Sequence, residues 1–205
     1  MSDQNEVVAR AIAALRAGEV VVLPTDTVYG LAATADTVDG RDALYRLKGR
    51  EMRQPTALVT GSLDALFQRL PELQGGLRDA VAALLPGPYT LVVPNPAGRF
   101  AWLCGDDPSA IGVRVPALTG SAADVVRAVG AVAATSANLP GGPEARSVEQ
   151  IPAPLRAGAA VVVDGGELPG VPSTVLDLTG EKPRVLRVGA GNIVTAIAAT
   201  RGKNV

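Results

Sequence analysis

The feature that most constrains this chain is a repeated exchange between two hydrophobic patterns. Short apolar runs rich in Val, Leu and Ile alternate with stretches whose apolar residues recur every three or four positions. One segment cannot satisfy a period of two and a period of 3.6, so the exchange predicts strands interleaved with helices, an α/β sheet with covered faces. Val8, Ile12 and Leu15 recur at helical spacing, and Gly18 stops them. Further helices are expected at residues 39–47, 62–70, 77–85, 121–129 and 192–200. Strands are expected at 19–23, 56–60, 89–93, 111–115, 132–135, 160–164, 173–178 and 184–188. Two strand-to-strand joins, across 165–171 and 180–182, carry no helix, which predicts a mixed sheet rather than a purely parallel one.

The exchange runs through 205 residues without a Ser/Pro-rich linker or a low-complexity tract, so a single domain is expected over 1–205. With 47% hydrophobic but only 3% aromatic residues, its core must be aliphatic. A net charge of −1 gives no bulk attraction to nucleic acid or anionic lipid, so an anion site needs locally gathered cations. The chain contains no histidine, which removes Ser-His-Asp triads, HExxH zinc sites and any histidine acid/base step. Cys104 is the only cysteine, so neither an internal disulfide nor a cysteine metal cluster is available, and it reads as an ordinary thiol. The opening residues are polar and then amphipathic, without a signal peptide or an apolar span, so a cytoplasmic setting is the expectation.

The polar residues without an evident folding role fall at strand ends and in loops, where sites are usually built. In LPTDTVYGLA, Thr25, Asp26, Thr27 and Tyr29 follow a strand; Asp26 reads either as the cap of a strand exit or as part of a pocket wall. LKGREMRQP packs Lys48, Arg50 and Arg53 behind a helical pattern, which fits a solvated helix end or a phosphate clamp. In LLPGPYT the prolines force a turn before Thr90. GVRVP places Arg114 inside an apolar strand, where a charge must be paired or must reach a cleft. AATSANLPGG puts Ser136 and Asn138 directly after a buried strand; PSTVLD and RVLRVG add Ser173, Asp177 and Arg187. Neither GxxxxGK[ST] nor GxGxxG occurs, so a nucleotide would be held in neither of those ways.

In their order along the chain, PTDTVYGL, KGR with a proline five residues after its arginine, PGPYT, VRVP, TSAN, STVLD and LRVG resemble the YrdC-like family of threonylcarbamoyl-adenylate synthases. The resemblance covers about residues 7–191. It implies a twisted α/β sheet with a positively charged concave pocket. The implied enzyme condenses L-threonine, bicarbonate and ATP, with Mg2+, to threonylcarbamoyl-AMP and pyrophosphate. Partner proteins would then transfer the threonylcarbamoyl group to tRNA. By the same resemblance, Thr27, Arg114, Ser173 and the Ala134 backbone hold threonine. Arg50, Gln54, Ser136, Asn138 and Arg187 contact ATP, and Lys48 with Arg50 forms the catalytic cation pair. The chain departs from the pattern at Gln54, where many members carry Asn, and at Val59, where some carry His. It departs also at Ala110, where others carry Thr and where Ser109 is a possible substitute. The short form, without the second domain of longer members, is the expectation. The alternative is a double-stranded RNA- or tRNA-binding module without this chemistry, or a ribosome-maturation factor; net charge and scarce aromatics weigh against it.

Overall fold

The computed structural model describes residues 2–200, so residues 1 and 201–205 of the expected domain lie outside it. Nine strands form one sheet: β1 (Val21–Pro24), β2 (Tyr29–Thr34), β3 (Ala57–Thr60), β4 (Tyr89–Pro94), β5 (Ala110–Arg114), β6 (Ala131–Ser136), β7 (Val161–Val162), β8 (Thr174–Asp177) and β9 (Arg184–Arg187). Their spatial order is β7-β1-β2-β6-β3-β5-β4-β8-β9. Pairs β1–β7, β3–β5 and β4–β8 are parallel and the other five antiparallel, the mixed sheet expected from the helix-free joins. Among the described residues seven α-helices accompany it: α1 (Ser2–Arg16), α2 (Val38–Lys48), α3 (Leu63–Arg69), α4 (Gly75–Leu84), α5 (Gly120–Val129), α6 (Ala153–Gly158) and α7 (Ile193–Ala199). None is long and apolar enough to cross a membrane.

Strand alternation divides the core into two layers. Val22 of β1, Leu31 and Ala33 of β2, Leu58 of β3 and Ala133 of β6 face one side, where they meet Leu44 and Tyr45 of α2, Leu66 of α3 and Val81 of α4. Val21, Leu23, Ala32, Val59 and Val132 alternate to the other side, against Ala11 and Leu15 of α1 and Val125 and Val126 of α5. The first layer runs on under β4, β5 and β8 through Leu91, Val113 and Leu176. The second does not: its buried residues come from β1, β2, β3, β6 and β7. One face of the sheet therefore lacks a helical cover over β5, β4 and β8, and the site lies there.

The structure adds elements that the sequence pattern did not reveal. The largest is β2. After Pro24 the chain does not leave the sheet but turns within four residues and returns as β2, with Leu23 opposite Gly30. The LAAT stretch of β2 has small side chains and weak period-two contrast, which hid it.

Candidate active site

Register assembles the site on the uncovered face. β5 sends Ile111 and Val113 into the core, so Arg114 points the other way. Arg114 pairs in register with Val59 of β3, and Val113 lies opposite Leu91, which puts Thr90 level with Arg114. Thr90 in turn lies beside Val175, and Val175 beside Arg187. A row of residues distant in sequence thus crosses five strands, β3, β5, β4, β8 and β9.

Arg114 is both paired and at a cleft. Its Nη2 donates to Asp26 Oδ1 at 2.5 Å and to Thr27 Oγ1 at 2.7 Å, and Asp26 Oδ2 accepts from the Ala117 N–H at 3.1 Å. Asp26 is therefore the counter-ion of Arg114 and not a cap. The turn is held instead by Thr25, whose hydroxyl donates to the Val28 carbonyl at 2.7 Å and accepts from the Thr27 and Val28 N–H groups. Thr27 is fully buried behind Arg114 and lies outside the cavity lining. Burial lowers the pKa of Arg114, and Asp26 opposes that shift. Arg114 Nε is buried without a partner.

The second cation group begins where α2 stops. Gly49 takes the left-handed conformation (φ 67°), which costs glycine no Cβ clash, and turns the chain so that the Arg50 N–H returns to the Tyr45 carbonyl at 3.0 Å. Lys48, in the last turn, is 6% exposed. Its Nζ donates to the Ser136 carbonyl and Asn138 Oδ1, each at 2.6 Å, and to the Asn138 carbonyl. Three ammonium protons meet three oxygens of the β6 exit. That exit is tied further: Ser136 Oγ donates to Asn138 Oδ1 at 2.6 Å, and Asn138 Nδ2 to the Gly142 carbonyl at 2.7 Å. Burial lowers the Lys48 pKa to about 8, with Glu144 opposing. Arg50 donates to Thr135 Oγ1 at 3.0 Å and to the Pro55 carbonyl at 2.5 Å, lies 5.8 Å from the Tyr45 ring centroid, and keeps a buried Nε without a partner. Arg53 does not join them: it is 70% exposed, 3.7 Å from Asp106, as a solvated helix end would have it, so of the three cations only Lys48 and Arg50 line the cavity.

Ser173 is buried, its Oγ 2.8 Å from Thr90 Oγ1. Arg187 donates through Nε and Nη2 to the Ser173 carbonyl at 3.1 and 2.9 Å, and through Nη2 to Ser173 Oγ at 3.1 Å. The chain approaches itself so closely behind β9 that a Cβ on Gly189 would lie 2.2 Å from the Pro172 carbonyl oxygen. Ala134 lies in the wall, its carbonyl accepting from Thr56 Oγ1 at 3.0 Å, and Gln54 lies exposed at the rim.

These groups line one cavity of about 460 Å3, with Lys48, Arg50, Arg114 and Arg187 as its cations. Ser136, Asn138 and Ser173 line it too, and Leu23, Ala32, Val59 and Val132 give it an apolar wall. Ala110 and Ser109 lie outside the lining; the Ser109 hydroxyl is spent on Asp107 Oδ1 at 2.5 Å, so Ser109 does not stand in for a missing threonine. Cys104 is buried in the core and its thiol pKa is raised by that burial, as befits an inert residue. Sequence reasoning missed Asp26 as a counter-ion, Thr56 and Thr135 as supports, and Glu144 in the lining. Asp26 lay in a motif already singled out, whereas Glu144 is a lone acid among prolines and glycines with no pattern to mark it.

The fold and the site together define a class, an open-sheet α/β domain with one cavity that gathers four cations, paired hydroxyls and an apolar wall. The Sua5/YciO/YrdC family model, described as telomere recombination, matches residues 13–189, and the chain belongs to this family. A Mycobacterium tuberculosis relative is 37% identical over 183 residues, covering 89% of this chain and 83% of that one. The threonylcarbamoyl-AMP synthase of Homo sapiens is 36% identical over 188 residues, covering 85% and 64%. Among solved structures, P. abyssi Sua5 complexed with L-threonine superposes with a TM-score of 0.77 at 29% identity, over 91% of this chain and 55% of that one. E. coli YciO superposes at 0.74 and 25% identity, over 94% and 93%. The chain thus spans little more than half of the Sua5 structure and most of YciO.

Proposed function

We propose that this chain is an L-threonylcarbamoyladenylate synthase, condensing L-threonine, bicarbonate and ATP to threonylcarbamoyl-AMP, pyrophosphate and water. The observation that carries the reading is one cavity with two unlike ends. Arg114, Ser173 and an apolar wall suit a small amino acid, and Arg50, Ser136 and Arg187 suit a polyphosphate. The human relative bearing the synthase name and the threonine-bound Sua5 structure support the same reading.

The chemistry needs no histidine and no covalent nucleophile. The threonine amine adds to carbon dioxide derived from bicarbonate; the resulting carbamate oxygen attacks the α-phosphorus of ATP, and pyrophosphate departs. The protein's task is to bring anions together and stabilise the charge building on phosphate and leaving group. Arg114, held by Asp26 and Thr27, offers its free Nε to the substrate carboxylate. Arg50 offers its own unpartnered Nε toward phosphate. Lys48 holds the 136–138 turn in place and so fixes the Ser136 hydroxyl. Among the described residues no group of three His, Cys, Asp or Glu gathers to cage a metal. Were Mg2+ to enter with the nucleotide, Ser136 Oγ would be an available protein oxygen for it, and the ion would neutralise charge on the departing pyrophosphate.

The downstream transfer to tRNA would fall to partner proteins, in the cytoplasm. The deciding experiment measures pyrophosphate release by the purified chain with ATP and Mg2+. Release is expected only with threonine and bicarbonate both present. Release indifferent to threonine overturns the reading, and RNA binding without turnover would favour a binding module.

A further inference from the structure

Between Arg114 of β5 and the segment that carries Ser173 stands Thr90 of β4. Its strand neighbours Tyr89 and Leu91 are buried in the core, so Thr90 faces the cavity, half-buried and level with Arg114. Its Oγ1 lies 2.8 Å from Ser173 Oγ, and among the described residues nothing else bonds that hydroxyl. Ser173 Oγ in turn accepts from Arg187 Nη2 at 3.1 Å. A hydroxyl has one proton and two lone pairs. If Thr90 donates to Ser173, both lone pairs of Ser173 are filled and its own proton is left over. If Ser173 donates to Thr90, the Thr90 proton is left over. Either way the pair keeps one donor unspent at the cavity wall, and the Arg187 charge behind it strengthens that donor.

We propose that Thr90 is a positioning residue for the amino-acid substrate, fixing the Ser173 hydroxyl so that the pair donates to the substrate carboxylate beside Arg114. This rests on the reading of the chain as a threonine-using synthase. A spare O–H has nothing to offer an ammonium group or a metal ion; it needs an oxygen. Of the amino acid's oxygens the carboxylate accepts most strongly, and it is drawn to the end of the cavity where Arg114 keeps an unpartnered Nε. Arg187 does not depend on Thr90. It also donates through Nε and Nη2 to the Ser173 carbonyl, at 3.1 and 2.9 Å, and those bonds survive without the Thr90 hydroxyl. Thr90 therefore serves one substrate and not the other.

The test uses Thr90→Val, which keeps the shape and removes the hydroxyl, and Thr90→Ser, which keeps the hydroxyl. Both go into the pyrophosphate assay with threonine and ATP varied separately. Thr90→Val should raise the KM for threonine roughly 5- to 30-fold and leave the KM for ATP and the melting temperature unchanged. Thr90→Ser should stay close to the parent. An unchanged KM for threonine in Thr90→Val overturns the proposal. So does a KM for ATP that rises in step, which would make Thr90 a support of Arg187. A Thr90→Ser variant as impaired as Thr90→Val overturns it too, since only the methyl would then matter. Calorimetry of threonine binding, with and without ATP, keeps this proposal apart from the synthase reading. A parent without threonine-dependent turnover sinks that reading, whereas threonine binding that Thr90→Val weakens and Thr90→Ser restores keeps this one. A parent that neither turns over nor binds threonine overturns both.

Discussion

Arg114 and Lys48 are both cations sunk into the sheet end of the same cavity, yet they are buried on opposite terms. Lys48 directs all three donors at oxygens of its own chain, two carbonyls and one side-chain amide. Arg114 is neutralised by one carboxylate, Asp26, and keeps a buried Nε in reserve. Burial lowers the pKa of both. The difference teaches that burial alone does not say what a charge in a cavity is spent on: Lys48 commits its donors to its own chain, whereas Arg114 keeps one donor over.

The sharpest way to break this comparison is Arg114→Ala. Losing a charge-assisted contact to the substrate carboxylate should cut kcat/KM about 100- to 1000-fold, for threonine and serine alike. It also strands Asp26, so stability should fall by about 3 kcal/mol. Adding Asp26→Asn should restore part of the melting temperature and none of the activity. If the double variant regains activity, Arg114 serves Asp26 alone. Arg50→Ala provides the next contrast, with roughly 30- to 1000-fold loss of rate, because that arginine keeps an unpartnered donor, and a melting temperature that hardly moves. Early melting with full activity in the folded fraction would make Arg50 structural.

Lys48→Met should show the opposite balance. It leaves three oxygens without their donor, so stability should drop by about 2–3 kcal/mol, with a rise in the KM for ATP as the Ser136–Asn138 turn loosens. A variant as stable as the parent but without turnover would make Lys48 a phosphate ligand after all. Substrate choice gives a smaller effect. Serine lacks only a methyl that the Leu23, Ala32, Val59 and Val132 wall would cover, so kcat/KM should fall about 10- to 200-fold. Valine, which would leave polar partners of the hydroxyl unpaired, should be rejected more strongly, and equal use of valine and serine would show that the hydroxyl is not read.

The smallest effect is with pH. Lys48 titrates near 8 when folded and near its ordinary 10.5 when unfolded. Between those values the unfolded chain binds more protons, so the parent should gain stability relative to Lys48→Met as pH rises through that window. Activity should fall over the same window, since a neutral amine has one donor fewer for the turn. A flat stability difference between pH 8 and 10 would mean that the ammonium is not strained by burial.

The sequence by itself determined the order and kind of most elements, because periodicity, glycine stops and β-branched runs act over a few neighbouring residues. It also marked Arg114 correctly as a charge that must be paired or reach a cleft, since the cost of an isolated buried charge holds in any fold. It could not show β2, whose small residues blur the alternation, nor that Thr25 rather than Asp26 holds the turn before it. Tertiary structure alone decided that Asp26 meets Arg114 across 88 positions, that Arg53 swings away from Lys48 and Arg50, and that Glu144 enters the cavity. These depend on strand order and register, which bring together residues from β1 to β9, and no local pattern carries the free energy of contacts made so far along the chain.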